Sequence, residues 1–144
     1  MKVGLIGLGR MGEGMSRRML KAGIEVWGYR RNYKKAEEAF EKGYVSGVST
    51  DLENLVKVVK STKSIYGEKS GETVYLKTPG IFQLVIPAEL VEDTLNELLP
   101  LLGDGDIIID HGNSNFKDSR RRAERLSKLG IQFIDCGTSG GVYG

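Results

Sequence analysis

The sequence predicts an α/β fold, a doubly wound parallel sheet with helices between its strands. Three observations carry that prediction. Short apolar segments alternate with longer amphipathic ones, joined by brief connections. The first of them, Met1–Ile6, stops at Gly7-Leu8-Gly9-Arg10-Met11-Gly12, after which the apolar spacing becomes helical. Asp106–Asp110 (Asp-Ile-Ile-Ile-Asp) then reads as the clearest strand in the chain.

Met1–Ile6 suits a buried parallel strand. From Arg10 to Ala22 the residues Met11, Met15, Met19 and Ala22 recur at helical spacing, and Gly23 closes the helix. A methionine stripe of this kind belongs more often to a core than to a cofactor contact. Glu25–Tyr29 is a second strand. Ala36, Ala39 and Phe40 on one face predict a helix over Tyr33–Glu41, ended by Gly43. Val45–Val48 reads as a short third strand, and Asp51 as the N-cap of a helix reaching Val59.

Residues 60–80 are polar and carry Gly67, Gly71 and Pro79-Gly80. A structureless loop of that length is improbable inside a compact domain, so the segment is predicted to be an inserted β-hairpin turning near Lys69-Ser70-Gly71. Ile81–Ile86 is the fourth main strand, stopped by Pro87. Leu90–Leu99 forms a helix with Leu90, Thr94 or Leu95, and Leu98 on its inner side. After Asp106–Asp110, Asn115 caps a helix running to about Lys128, with Asp118 in its first turn. Ile131–Asp135 is the last strand before a glycine-rich tail. Six main strands in this order fit the Rossmann dinucleotide-binding fold.

Composition sets the outer bounds. The 144 residues suffice for a single domain, 1–144, with a proper core. A formal charge of +2 gives no general attraction for polyanions. Arg30-Arg31-Asn32-Tyr33-Lys34-Lys35 and Arg120-Arg121-Arg122 are local basic clusters, and the plain reading of each is a solvated helix start or face. No aromatic stacking platform lies beside them, which argues against nucleic acid as a partner. The single cysteine, Cys136, excludes an intrachain disulfide and suits a reducing compartment. No apolar run approaches the roughly 20 residues of a membrane span, and no signal peptide precedes the glycine loop. The expected location is cytoplasmic.

The glycine loop carries the chemistry. Gly7, Gly9 and Gly12 follow a strand and open a helix, the context a dinucleotide-binding G-x-G-x-x-G requires. The first permits a tight turn, the second lets backbone approach a pyrophosphate, and the third allows close helix–strand packing. Free N–H groups at the helix mouth then meet the phosphates. The alternative, a glycine-rich turn with no ligand, does not need that context.

An acidic residue about 20 positions past the loop would hold the ribose 2′-hydroxyl of NAD. Arg30, Arg31 and Asn32 stand there instead, and the nearest carboxylate is Glu37 in the next helix. Paired guanidiniums match a 2′-phosphate, which carries about −1.5 to −2 charge. The expectation is NADP over NAD by roughly 10- to 1000-fold.

Four blocks of residues resemble the β-hydroxyacid dehydrogenases and, within them, the 6-phosphogluconate dehydrogenase family. They are the loop 7–12; Arg30-Arg31-Asn32; Ile86-Pro87-Ala88; and Asp110-His111-Gly112-Asn113-Ser114 with Asp118 and Arg121, followed by Gly137-Thr138-Ser139-Gly140-Gly141. The resemblance implies that Gly7, Leu8, Gly9, Arg10, Met11 and Gly12 bind the cofactor together with Arg30, Arg31 and Asn32. It also places Ile86, Pro87 and Ala88 along the nicotinamide side. Asn113 would contact both cofactor and substrate, and Ser139, Gly140 and Gly141 would border the pocket for a phosphorylated sugar acid. The reaction it implies is NADP-dependent oxidative decarboxylation of 6-phosphogluconate to ribulose 5-phosphate. The family's catalytic lysine and glutamate lie in a following helical domain, beyond residue 144, so no catalytic residue is expected in this chain. That domain makes most of the family's dimer contact, and an intact homo-oligomer is expected. No metal is implied.

The sequence departs from the family in several ways. The insertion near 60–80 is longer than the usual connection, and Val142-Tyr143 stands where longer members carry Glu-Glu, as in the shorter bacterial type. Many short members have an acidic residue near position 30, which makes Arg30 informative. His111, the only histidine, replaces a small residue and reads as a pocket-edge or structural group rather than a base. Two rivals remain: a hydroxyisobutyrate- or tartronate-semialdehyde-type enzyme, against which Gly112-Asn113-Ser114 speaks, and a non-catalytic NADP-binding module.

Overall fold

The computed structural model describes residues 1–63 and 75–138. In chain order these form β1 (Lys2–Ile6), α1 (Arg10–Lys21), β2 (Glu25–Tyr29), α2 (Tyr33–Glu41), β3 (Gly47–Ser49), α3 (Leu52–Lys60), β4 (Ser61–Lys63), β5 (Tyr75–Lys77), β6 (Ile81–Leu84), α4 (Ala88–Leu98), a 3₁₀ turn (Leu99–Leu101), β7 (Ile107–Asp110), α5 (Phe116–Ser127) and β8 (Gln132–Asp135). Six strands make one sheet in the order β3-β2-β1-β6-β7-β8, and each neighbouring pair is parallel. This is the doubly wound sheet that the strand–helix alternation predicts.

The strand order reverses between β1 and β6. In open α/β sheets such a reversal leaves a crevice at the carboxyl ends of the two strands. Its floor here is set by the register Ile6↔Leu84 and a last bond from Val85 N–H to the Ile6 carbonyl at 2.8 Å.

Helices cover both faces. One core joins Ile6, Phe82, Leu84 and Ile108 to α3, α4 and α5 through Leu55, Val59, Val91, Leu95 and Leu126. The other packs Leu5, Leu8 and Val26 against Ala36 and Ala39 of α2, with Met19 and Leu20 of α1 alongside. Burying a side chain of leucine size is worth about 2 kcal/mol, so these layers hold the frame without help from the crevice.

The helix starts follow local capping chemistry. Asn32, Asp51 and Asn115 each accept a backbone N–H in the first turn of α2, α3 and α5. For Asn32 the cap occupies Oδ1 and leaves the side-chain amide N–H groups outside the cap. Gly23 and Gly43 follow α1 and α2 with φ of +76° and +68°.

Several boundaries and faces differ from expectation. The third strand is Gly47–Ser49, not Val45–Val48. Val45 drops into the second core, and the Trp27 ring lies where a Cβ at Gly47 would sit, so only glycine pairs there. The fourth main strand ends at Leu84 because β1, its partner, ends at Ile6. α4 begins at Ala88, directly after Pro87. Phe40 is exposed at 48%, since the small Ala36 and Ala39 bring α2 close to the sheet and leave Phe40 on its flank. Leu90 is also exposed, and the buried face of α4 is Val91, Thr94, Leu95 and Leu98. The methionine stripe is half-buried, and α1 turns Gly12 and Ser16 fully inward.

Strands β4 and β5 pair antiparallel, Ser61↔Lys77 through Lys63↔Tyr75, as the arms of a hairpin would. The turn expected near Lys69-Ser70-Gly71 lies outside the described residues. At the foot of these arms Lys60 Nζ meets the fully buried Asp106 at 2.6 Å. Asp106 also accepts the N–H groups of Gly80 (2.7 Å) and Gly103 (2.8 Å), and Lys2 Nζ donates to the Ser61 carbonyl (3.0 Å). This polar knot sits at the amino ends of β1, β6 and β7, opposite the crevice.

Candidate cofactor cleft

The crevice between β1 and β6 is a cleft of about 330 Å³. Its lining comes from Ile6 to Gly9 after β1, Tyr29 to Arg31 after β2, Val85 to Pro87 after β6, and Leu90 and Thr94 on α4. The walls are largely apolar, with backbone N–H groups and two guanidiniums at the rim.

The three glycines of the loop meet different surroundings. Gly7 has φ +106°, and a Cβ there would strike the Val85 carbonyl and come within 2.8 Å of Ile86 Cγ2. A Cβ on Gly12 would strike the carbonyl oxygen of Gly7. Both are demanded by the fold, as a turn and as a close helix–strand contact. Gly9 is different. Nothing lies within 4 Å of where its Cβ would be, so the fold itself does not require glycine at this position. What a side chain there would fill is the open space over the cleft, where a phosphate would approach the backbone.

Helix ends repeat this division. Neither α1 nor α4 has a side-chain cap, whereas α2, α3 and α5 do. The two uncapped helices are the ones whose N-cap residues, Gly9 and Pro87, line the cleft. Their leading N–H groups remain available to an anion, with the helix dipole adding positive potential.

The predicted site residues fall into four groups. Gly7, Leu8 and Gly9 line the cleft; the Leu8 side chain is fully buried, so this residue offers its backbone. Arg10, Met11 and Gly12 form the first turn of α1, where Arg10 is exposed and Met11 half-buried. Arg30 and Arg31 line the rim. Arg30 Nη1 donates to the Leu8 carbonyl at 2.7 Å, and Arg31 Nη2 reaches Glu97 of α4 at 3.2 Å, exposed at both ends. Ile86 and Pro87 line the opposite wall, and Ala88 opens α4 just beyond them. Asn113 is exposed in the turn after β7, outside the cleft lining but at the same end of the sheet. Ser139, Gly140, Gly141, Val142 and Tyr143 lie outside the described residues.

The turn bearing Asn113 is built on Asp110, which is fully buried. Its carboxylate accepts the Gly112 N–H (2.8 Å) and the Ser114 hydroxyl (3.0 Å), with Arg122 Nη1 at 3.5 Å. His111 is half-buried and its Nδ1 lies 3.0 Å from Thr138 Oγ1. Burial pushes the His111 pKa down, with the Asp110 charge pulling partly the other way, so the ring is neutral near pH 7.

Two features were missed from sequence. Leu90, Thr94 and Tyr29 are cleft wall, and nothing local marks them as such. Arg122 is only 5% exposed, so the reading of Arg120-Arg121-Arg122 as a solvated face holds for the first two and fails for the third. The helical spacing of Ser119, Arg122 and Leu126, the three buried residues of α5, is the signal that would have found it. Among the described residues no cluster of ligating side chains could hold a metal, and no helix is long and apolar enough to cross a membrane.

Comparison with known proteins agrees with this geometry. Residues 2–144 match the family model described as the NAD binding domain of 6-phosphogluconate dehydrogenase. The decarboxylating 6-phosphogluconate dehydrogenase of Candida albicans is 40% identical over 145 residues, 99% of this chain and 25% of that protein. A 6-phosphogluconate dehydrogenase of Plasmodium falciparum, solved with NADP+ and with 6-phosphogluconate, superposes with a TM-score of 0.74 at 28% identity, over 98% of this chain and 28% of that one. A 3-hydroxyisobutyrate dehydrogenase of Salmonella typhimurium gives a TM-score of 0.72 at 22% identity, over 97% of this chain and 42% of that one, a likeness of fold alone. The chain spans between 25% and 42% of the length of the curated relatives it matches.

Proposed function

This chain belongs to the family of NAD-binding domains of 6-phosphogluconate dehydrogenase, and from that premise we propose that it binds NADP in preference to NAD. In this reading it is one domain, 1–144 with an insertion at 60–80, and supplies the cofactor half of an enzyme that converts 6-phosphogluconate to ribulose 5-phosphate. The observation that carries the reading is the pairing of an open Gly9 and an uncapped α1 with Arg30 at the rim. Diphosphate fits the first two, and a 2′-phosphate the third.

Arg30 has five N–H groups and uses one on Leu8, so its planar fork remains free to face a phosphate. Arg31 leaves an exposed pair with Glu97 at little cost to join it. Ile86 and Pro87 give the nicotinamide an apolar wall that excludes water. When bound, NADP supplies the hydride acceptor. Asn113 bridges cofactor and sugar acid through its amide, and Ser139, Gly140 and Gly141 border the substrate. No residue of this chain is assigned as general acid or base. The intact protein is a cytoplasmic homo-oligomer in this reading, and neither nucleic acid nor membrane is a partner.

Fluorescence titration of the chain with NADPH and NADH tests the cofactor. Assay of the intact protein with 6-phosphogluconate and with 3-hydroxyisobutyrate tests the substrate. The reading expects NADPH to bind at least tenfold tighter and turnover only on the first substrate. Equal affinities overturn the cofactor assignment, and activity on 3-hydroxyisobutyrate alone overturns the reaction.

A further inference from the structure

The geometry points to Arg122 as the residue that positions Asn113 for the substrate, acting through Ser114 and Asp110; this rests on the reading of Asn113 given above. Gly112 and Ser114, the two neighbours of Asn113, are both tied to the same buried carboxylate, at 2.8 Å and 3.0 Å. Arg122 completes the tie from the other side. Its Nη1 donates to Ser114 Oγ at 3.0 Å and lies 3.5 Å from Asp110 Oδ2, while its Nε donates to Glu92 of α4 at 3.1 Å. One planar group thus holds three partners, on β7, on the turn after it and on α4, a task a lysine point charge cannot perform.

The turn so held also rests against the cleft. A Cβ on Gly112 would lie 3.3 Å from the Ile86 carbonyl, so the backbone of the Asn113 turn passes close to the wall below it. Stability alone does not account for a guanidinium here. Well-packed apolar side chains commonly replace a buried ion pair with no loss of stability. What they cannot do is fix the hydroxyl of Ser114 and the carboxylate of Asp110 in one orientation, and these fix the backbone on either side of an exposed Asn113.

The test compares Arg122→Met, Arg122→Lys and Ser114→Ala with the parent. Amide hydrogen exchange in this chain reports the turn, NADPH titration reports the cofactor site, and kcat and KM for 6-phosphogluconate in the intact protein report its use. Arg122→Met is expected to speed exchange at Gly112 at least tenfold and to raise KM at least tenfold. Exchange at the amides of the 7–12 loop should stay within about threefold, and the Kd for NADPH should rise less than KM, because Asn113 is one cofactor contact among many. Arg122→Lys should recover part of the loss, and Ser114→Ala should fall between. Unchanged exchange at Gly112 overturns the inference, as does a parallel fall in NADPH affinity and Tm, which marks a merely structural role. If Arg122→Met does not fold, Ser114→Ala, which keeps Arg122 on Asp110 and Glu92, decides by the same readouts. A parent inactive on 6-phosphogluconate sinks the proposed substrate instead, and exchange at Gly112 then decides this inference alone.

Discussion

Arg30 closes over the glycine loop, its Nη1 2.7 Å from the carbonyl oxygen of Leu8. The end of β2 and the mouth of α1 are thereby held in one frame. A carbonyl is a modest partner for a guanidinium, and it takes up only one of the five N–H groups.

Replacing Arg30 with alanine should therefore weaken NADPH about 10- to 100-fold while NADH changes less than about threefold. Arg31→Ala should cost only a few-fold, because its pair with Glu97 is exposed at 67% and 52% and holds the side chain loosely. Calorimetric titration of both cofactors decides it. An equal loss for the two would mean that Arg30 serves only to prop the loop.

Gly9 and Gly12 should separate binding from folding. Alanine at Gly9 meets open space and an ordinary extended backbone, so Tm should move by no more than a degree or two. Affinity for NADPH should nevertheless drop at least tenfold, since the methyl group occupies the phosphate's path. Alanine at Gly12 runs into the Gly7 carbonyl and should lower stability by about 1 to 3 kcal/mol. Paired melting and titration curves would show the crossover, and a Gly9→Ala protein that binds normally would place the phosphates elsewhere.

Asp106→Ala should destabilise by about 3 kcal/mol, a fall in Tm on the order of 10 °C. It would leave two backbone N–H groups and the Lys60 ammonium without their acceptor. Cofactor affinity measured well below the melting point should stay the same, because this knot sits at the far ends of the strands. A Tm within about 2 °C of the parent would contradict the assignment.

The acid side of the stability curve should show two steps. His111 is held below its ordinary 6.5, mainly by burial. As pH falls through about 6.5 the unfolded chain takes up that proton and the folded chain does not, so stability declines until the folded ring protonates. Glu92 feels burial pushing its pKa up, but the hydrogen bond and charge of Arg122, then Arg121 and Arg125, outweigh it and the net shift is downward from 4.5. Its contribution is complete above 4.5 and is lost as pH drops through the lower folded value. Melting curves between about pH 4 and 8 should show the first step vanish in His111→Asn and persist in Glu92→Gln.

Much of this was legible in the residues because it is local chemistry. β2 and α2 match their expected bounds, and Asp51 and Asn115 cap the helices they were expected to cap. The turn at Gly7 and the close helix packing at Gly12 were legible for the same reason, since strand, glycines and helix start follow one another directly in the chain. What could not be read depends on distant partners. Leu90 keeps a helical period that fits a core, and only the parting of β1 and β6 makes it a cleft wall. The cap that Asn32 supplies to the first turn of α2 was not read from the sequence, where the residue stood out only as part of a basic cluster expected to meet the cofactor. Arg122 looked like its neighbours until Asp110 and Glu92 arrived from elsewhere in the chain.

The bend at Gly7 has a kinetic meaning. Its N–H is bonded to the Tyr29 carbonyl at 3.0 Å, and its own carbonyl is packed under α1, so the loop proposed to cradle the diphosphate is already shaped without a nucleotide. A receptor that need not reorganise gives up little entropy on association, and capture can approach the encounter-limited regime of about 10⁶ to 10⁷ M⁻¹ s⁻¹. If the proposed NADP preference holds, differences in retention between the two dinucleotides fall on the escape rate, and residence time is the quantity the rim arginines would tune.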